Sequence, residues 1–160
     1  MEHRIEQLHE KKLLGKHLSM SITENRTSEL WRSFMLQRHE ICNAVDNYLY
    51  SMQIYDPAYF QNFDPANSFE KWATAEVSDF DAIPAGMESF VLPAGLYAVF
   101  HYKGLPSEGA KAFAYIFGTW LPHSGYALDN RPHFERLGEN YKNDSPDSEE
   151  EIWIPLKHHV

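Results

Sequence analysis

A single cysteine, Cys42, stands in this 160-residue chain, so no disulfide can form within it and a reducing compartment is the default. No apolar run is long enough to cross a bilayer. The opening residues, Met-Glu-His-Arg-Ile-Glu, lack the apolar stretch of a signal peptide. These absences place the expected location in the cytoplasm, with no membrane partner. Positive charge is scarce too: 14 Lys and Arg face 23 Asp and Glu, for a net charge of −9. Nucleic-acid backbones are gripped by clustered cations, so direct nucleic-acid binding is not expected. The P-loop, G-x-G-x-x-G and G-x-S-x-G signatures are missing, which leaves nucleotide and serine-hydrolase readings without support. Nine histidines form no H-E-x-x-H and Cys42 has no second cysteine, so neither metal nor cofactor is expected. His39 lies three residues before Cys42, yet the pair reads as helix packing with a half-buried structural thiol, not as base and nucleophile.

What the chain does have is rings. Aromatic residues make up 14% of it, and so many large side chains must be buried or arranged around something. Apolar and charged shares of 43% and 23% are those of a folded domain, and the length suits one domain or two small repeats sharing a core. Residues 1–12 read as a polar, short helical or frayed lead-in, followed by a single domain over 13–160. A β-compatible run spans 13–22. Thr27 and Ser28 then offer a helix cap, and Leu30, Phe34, Ile41 and Val45 recur at helical spacing toward Asp46 and Asn47. Strands are expected over 48–56 and 71–78, the second with Trp72, Thr74 and Glu76 on one face and Ala73, Ala75 and Val77 on the other.

A short extra strand over 87–92 follows, and then the pattern restarts. A strand is expected over 96–103, and a helix capped at Ser107 carries Phe113, Ile116, Phe117, Trp120 and Leu121 as its apolar stripe. Closing strands are expected over 133–137 and 151–156. Strand–helix–strand–strand thus occurs twice, in repeats of about 13–92 and 93–160. The expected class is α+β: an antiparallel sheet with both helices on one face and the other face curved and open to a ligand between the repeats.

Particular letters then become specific. LPAGLYAVFHYKG at 92–104, WLPHSGYAL at 120–128, PHFE at 132–135 and EIWIPLK at 151–157 occur in an order and spacing that resemble the GyrI-like small-molecule-binding domains, the effector-binding domains of bacterial transcription activators. LLGKHLSMS, LWRSF and KWATAEV in the first half are similar to the family more loosely. The resemblance implies two SHS2-type repeats with a ligand groove between them. No helix-turn-helix accompanies the domain in this sequence, which therefore resembles the stand-alone members. It departs from the family at Leu137, where a Tyr usually follows F-E-x.

Glu135 is the leading site candidate, because the resemblance places the matching carboxylate in the pocket facing cationic ligands. A carboxylate in an aromatic, half-dry cleft favours an organic cation by charge while rings hold its flat body. Trp72 with Glu76, and Trp153 with Glu151, are same-face ring–carboxylate pairs of the kind such a site needs. Tyr50, in a stripe with Tyr48, Met52 and Ile54, and Tyr97, matched to the family's G-x-Y-A, complete the expected ligand set of Glu135, Trp153, Trp72, Glu76, Tyr97 and Tyr50. The expected function is non-catalytic sensing or sequestration of a hydrophobic, cationic or aromatic small molecule. The alternative is hydrolysis of strained electrophiles, with Glu135 as general base assisted by Tyr97 or Tyr50. A third reading has the acidic surface engage a regulatory protein partner such as a topoisomerase.

Overall fold

A computed structural model of the chain describes residues 1–159. Val160, the last residue of the expected domain, lies outside them. Strands β1 (His3–Leu8), β2 (Lys11–Met20), β3 (Ala44–Ile54), β4 (Phe69–Val77), β5 (Glu88–Leu92), β6 (Gly95–Lys103), β7 (Tyr126–Leu128), β8 (His133–Leu137) and β9 (Glu149–His158) alternate with two helical segments. The first is α1, Thr27–Gln37. The second begins as α2, Gly109–Tyr115, widens into a π-helical turn over Ile116–Trp120 and closes with α3, Leu121–His123.

All strand pairs are antiparallel, in the spatial order β1-β6-β9-β8-β3-β4-β2-β5, with β7 paired to β9. The repeat is plain in this order. β2-α1-β3-β4 and β6-α2-β8-β9 each place their first strand outermost and their second at the junction, where β3 meets β8. The flanking strands are exchanged: β1 precedes β2 but pairs with β6, and β5 precedes β6 but pairs with β2. The residues read as a helical or frayed lead-in are therefore strand β1, the counterpart of the extra strand β5. Their alternation was hidden by polar side chains on both faces.

Only two residues join β1 to β2 and two join β5 to β6. At 3.8 Å per Cα step, such a link spans at most about 11 Å, so the far ends of the sheet are drawn together. The sheet curls, and its inner face closes into a core of Leu8, Leu13, Tyr50, Met52, Trp72, Leu92, Tyr97, Val99, Phe134 and Trp153. The ligand face expected to lie open there is packed over most of its extent and keeps only a cleft where β1 turns into β2. Both helices pack on the outer face, as expected. Leu30 and Phe34 of α1 cover Leu14, Leu49, Ala73 and Ala75, while Ala112 and Ile116 cover Ala98, Phe100, Ile152 and Ile154. Each fully buried Leu, Ile or Phe among these contributes roughly 1.5–3 kcal/mol to stability.

Gly15 lets β2 lie close to β4, since a Cβ there would fall 1.9 Å from the carbonyl oxygen of Ala73. Helix α1 stops nine residues short of the expected Asp46. After a single 3-10 turn, Arg38–Glu40, the backbone becomes extended at Ile41, which still packs on the α1 cluster. Cys42 consequently sits exposed in a connector, not half-buried in a helix.

Candidate functional site

Residues directly opposite on antiparallel neighbours share a face of the sheet. Ala73, Ser51, Glu135, Ile152 and Phe100 form one such row across β4, β3, β8, β9 and β6. The row's members at either end belong to the helix-packed clusters. Glu135 therefore projects from the middle of the sheet onto the outer face, at the junction of the repeats and between the two helix-covered cores. Lys71, Gln53 and His133 form the adjacent row. Glu150 lies two residues before Ile152 on the same face, opposite Tyr102.

These side chains make an unusual electrostatic setting. Gln53 donates from Nε2 to Glu135 Oε1 at 3.3 Å. Burial pushes the Glu135 carboxyl up to about 6, against the pull of the Lys71 charge and the Gln53 hydrogen bond. Burial, reinforced by the charge on Glu135, pushes Glu150 up to about 8, again with Lys71 opposing. At neutral pH the pair thus shares close to one negative charge.

Rings gather beside this pair. Tyr55, just past the end of β3, touches His133 with centroids 4.9 Å apart, and burial with the charge on Glu135 raises its phenol. The loop from Pro57 to Ser68 carries Tyr59 and Phe60 back toward the sheet. Phe60 stacks on His133 at 5.4 Å and on Phe117 of the π-helical turn at 5.2 Å. A loop of the first repeat and a helix of the second are thereby bridged beside Glu135. Phe60 nonetheless remains 37% exposed. Burial, and then the charge of Arg131, drive His133 down to about 3, so it enters this cluster as a neutral ring.

The remaining expected ligand residues stand elsewhere. Tyr50, Trp72, Tyr97 and Trp153 belong to the inner core, on the opposite face from Glu135. The Tyr97 hydroxyl donates to the carbonyl of Pro132 at 2.8 Å, with the Arg131 guanidinium over its ring. Trp72 is stacked by His17, Trp153 donates to Glu151, and Glu76 is paired with Lys11. One sheet thus separates the expected carboxylate from the expected rings. Leu137 shares the outer face with Glu135 and packs against the α1 cluster. The residues that do surround Glu135, namely Gln53, Tyr55, Phe60, Lys71, His133 and Glu150, were not singled out from the sequence. Strand register could have found Gln53, Lys71, His133 and Glu150, through the parity of β3, β4, β8 and β9, whereas Tyr55 and Phe60 lie outside the strands and carry no such signal.

Comparison with known proteins agrees with this architecture. Residues 1–157 match the family described as the GyrI-like small molecule binding domain. The transcriptional regulator BrlR of Pseudomonas aeruginosa is 26% identical over 148 residues, which are 90% of this chain and 51% of BrlR. The chain therefore spans about half the length of that curated relative. Among solved structures, SAV2435 bound to tetraphenylphosphonium superposes with a TM-score of 0.73 at 17% identity, covering 98% of this chain and 94% of that one. A hydrolase from Listeria innocua superposes with a TM-score of 0.61 at 11% identity, covering 97% and 91%.

Proposed function

The chain belongs to the GyrI-like small-molecule-binding family, and on that premise we propose that it binds a hydrophobic organic monocation on the outer face of its sheet, at Glu135. The observation that carries this reading is the Glu135–Glu150 pair, a single shared negative charge held half-dry between two helix-covered cores. Such a charge is poorly solvated and gains most from a cation that brings little hydration of its own. Tyr55, Phe60, Phe117 and His133 supply faces for the ligand's rings, and each cation–π contact adds roughly 0.5–2 kcal/mol. Lys71 is the competing cation, since its charge already acts on both carboxylates. Entry of a ligand requires Phe60 to swing aside, and the loop that carries it is exposed over most of its length. SAV2435, the neighbour with tetraphenylphosphonium bound, makes that cation a suitable probe.

Equilibrium dialysis with tetraphenylphosphonium tests the reading. Saturable binding that weakens tenfold or more in Glu135→Gln is expected. Unchanged affinity in that variant would remove the carboxylate from the site.

A second reading, hydrolysis of strained electrophiles, is favoured by the same pair. Two carboxyls that share one proton offer a base for water and an acid for the leaving atom at one pH. Tyr97 does not serve in it, because its hydroxyl is committed on the other face. Catalytic release of a ring-opened product from an epoxide probe supports hydrolysis. Protection of the probe in stoichiometric amounts, without product, supports binding alone.

A further inference from the structure

We propose that the inner side of the sheet opens into a second binding site, separate from Glu135, that takes a small planar aromatic carboxylate. A cleft of about 220 Å³ lies where β1 turns into β2, floored by Tyr50, Phe134 and Trp153 and walled by Arg4, Lys11 and Arg136. The floor rings are almost wholly buried, Trp153 at 5%, Tyr50 at 1% and Phe134 at 0% exposure, so a ligand reaches them only at the edge of the cleft. Phe134 and Trp153 stack with centroids 5.1 Å apart and planes 18° from parallel. The cations hang over these rings, Arg4 with its guanidinium 5.7 Å from the Trp153 centroid and Lys11 with its ammonium 5.7 Å from that of Tyr50.

The charges are unevenly placed. Arg4 and Arg136 share Glu151, and Lys11 holds Glu76, yet neither carboxylate lines the cleft. Glu6 is the one acidic group among the lining residues. Glu6 is itself bonded to Arg4 at 3.2 Å, so each of the three wall cations already has a carboxylate partner, and an anionic ligand would compete with Glu6, Glu76 and Glu151 for them. Arg136 is also incompletely satisfied: its Nε is buried and has no acceptor among the described residues. A guanidinium with a spare donor, beside two further cations and above stacked rings, suits an anionic group attached to a flat ring. The volume is below the roughly 300 Å³ at which drug-sized pockets begin, so the ligand is limited to one or two fused rings. This is chemistry of the opposite sign to that proposed at Glu135, on the opposite face of the same sheet.

Isothermal titration of the whole chain with 2-naphthoate and its neutral isostere 2-naphthamide tests the assignment. Naphthoate is expected to bind once per chain, at least tenfold tighter than naphthamide. Arg4→Gln and Lys11→Gln should each weaken it threefold or more, with far-UV circular dichroism and melting temperature unchanged. Saturating tetraphenylphosphonium should not displace it. Equal affinity for acid and amide, no binding of either, full affinity in the Arg4→Gln, Lys11→Gln double variant, or competition by the phosphonium would each overturn the proposal. Because the naphthoate arm does not involve Glu135, its failure is distinguishable from failure of the cation site.

Discussion

At the scale of single residues, cation binding turns on where protons sit in the Glu135–Glu150 pair. With Glu135 near 6, about a tenth of it is ionised at pH 5 and about nine-tenths at pH 7. A monocation that needs this charge should bind roughly tenfold more weakly at pH 5 than at pH 7. Glu135→Gln should abolish that dependence, as dialysis of tetraphenylphosphonium across the range will show. Glu135 was legible in the sequence because it sits inside a specific motif. Glu150 was not, because it lies in the acidic run Ser-Glu-Glu-Glu, where only the register of β9 reveals which carboxylate turns toward the helices. Tyr97 shows the opposite failure: its family motif was legible, but its hydroxyl serves Pro132.

Among the elements, strands were easier to foresee than their partners. The alternation of Trp72, Thr74 and Glu76 against Ala73, Ala75 and Val77 appears as read, with Trp72 in the inner core and the alanines under α1. Which face would bind a ligand was not legible, because it depends on the two-residue links that curl the sheet. The α1 boundary was missed because Ile41 packs on the α1 cluster from an extended backbone, keeping helical spacing without a helix. Two tests belong here. Gly15→Ala forces the β2 and β4 backbones apart and should cost roughly 1–3 kcal/mol, read as a lower urea midpoint. Phe60→Ala removes the ring that stacks on both Phe117 and His133, so tetraphenylphosphonium should associate faster in stopped-flow fluorescence. An unchanged association rate would mean that Phe60 does not obstruct entry.

Over the whole molecule, exchange of β1 and β5 between the repeats ties two halves into one core, while the junction of β3 and β8 leaves acidic groups at its centre. That arrangement has a stability cost with a definite sign. Glu150 keeps its proton to about pH 8 when folded but loses it at the ordinary carboxylate value when unfolded. Between those values the folded chain holds more protons, so stability falls as pH rises. His133, neutral in the fold, acts the other way, but only below its ordinary value of 6.5. From pH 6.5 to 8.5 the carboxyl should therefore dominate, lowering stability by roughly 1 kcal/mol after allowance for solvent contact. Glu150→Gln should flatten the melting temperature across that window. The repeat itself was legible from the recurrence of strand–helix–strand–strand, whereas the exchange of flanking strands is long-range pairing that no local pattern encodes.

A cation site at Glu135 is distinguished from a merely greasy one by the sign of the charge that the outer face accepts. Binding of tetraphenylphosphonium should be compared by titration calorimetry at pH 7 with that of tetraphenylborate, which has the same shape and the opposite charge. The phosphonium should bind, the borate should bind at least a hundredfold more weakly, and Glu135→Gln should narrow the gap. Equal affinities, or a gap that survives in the Glu135→Gln variant, would contradict a cation site at Glu135.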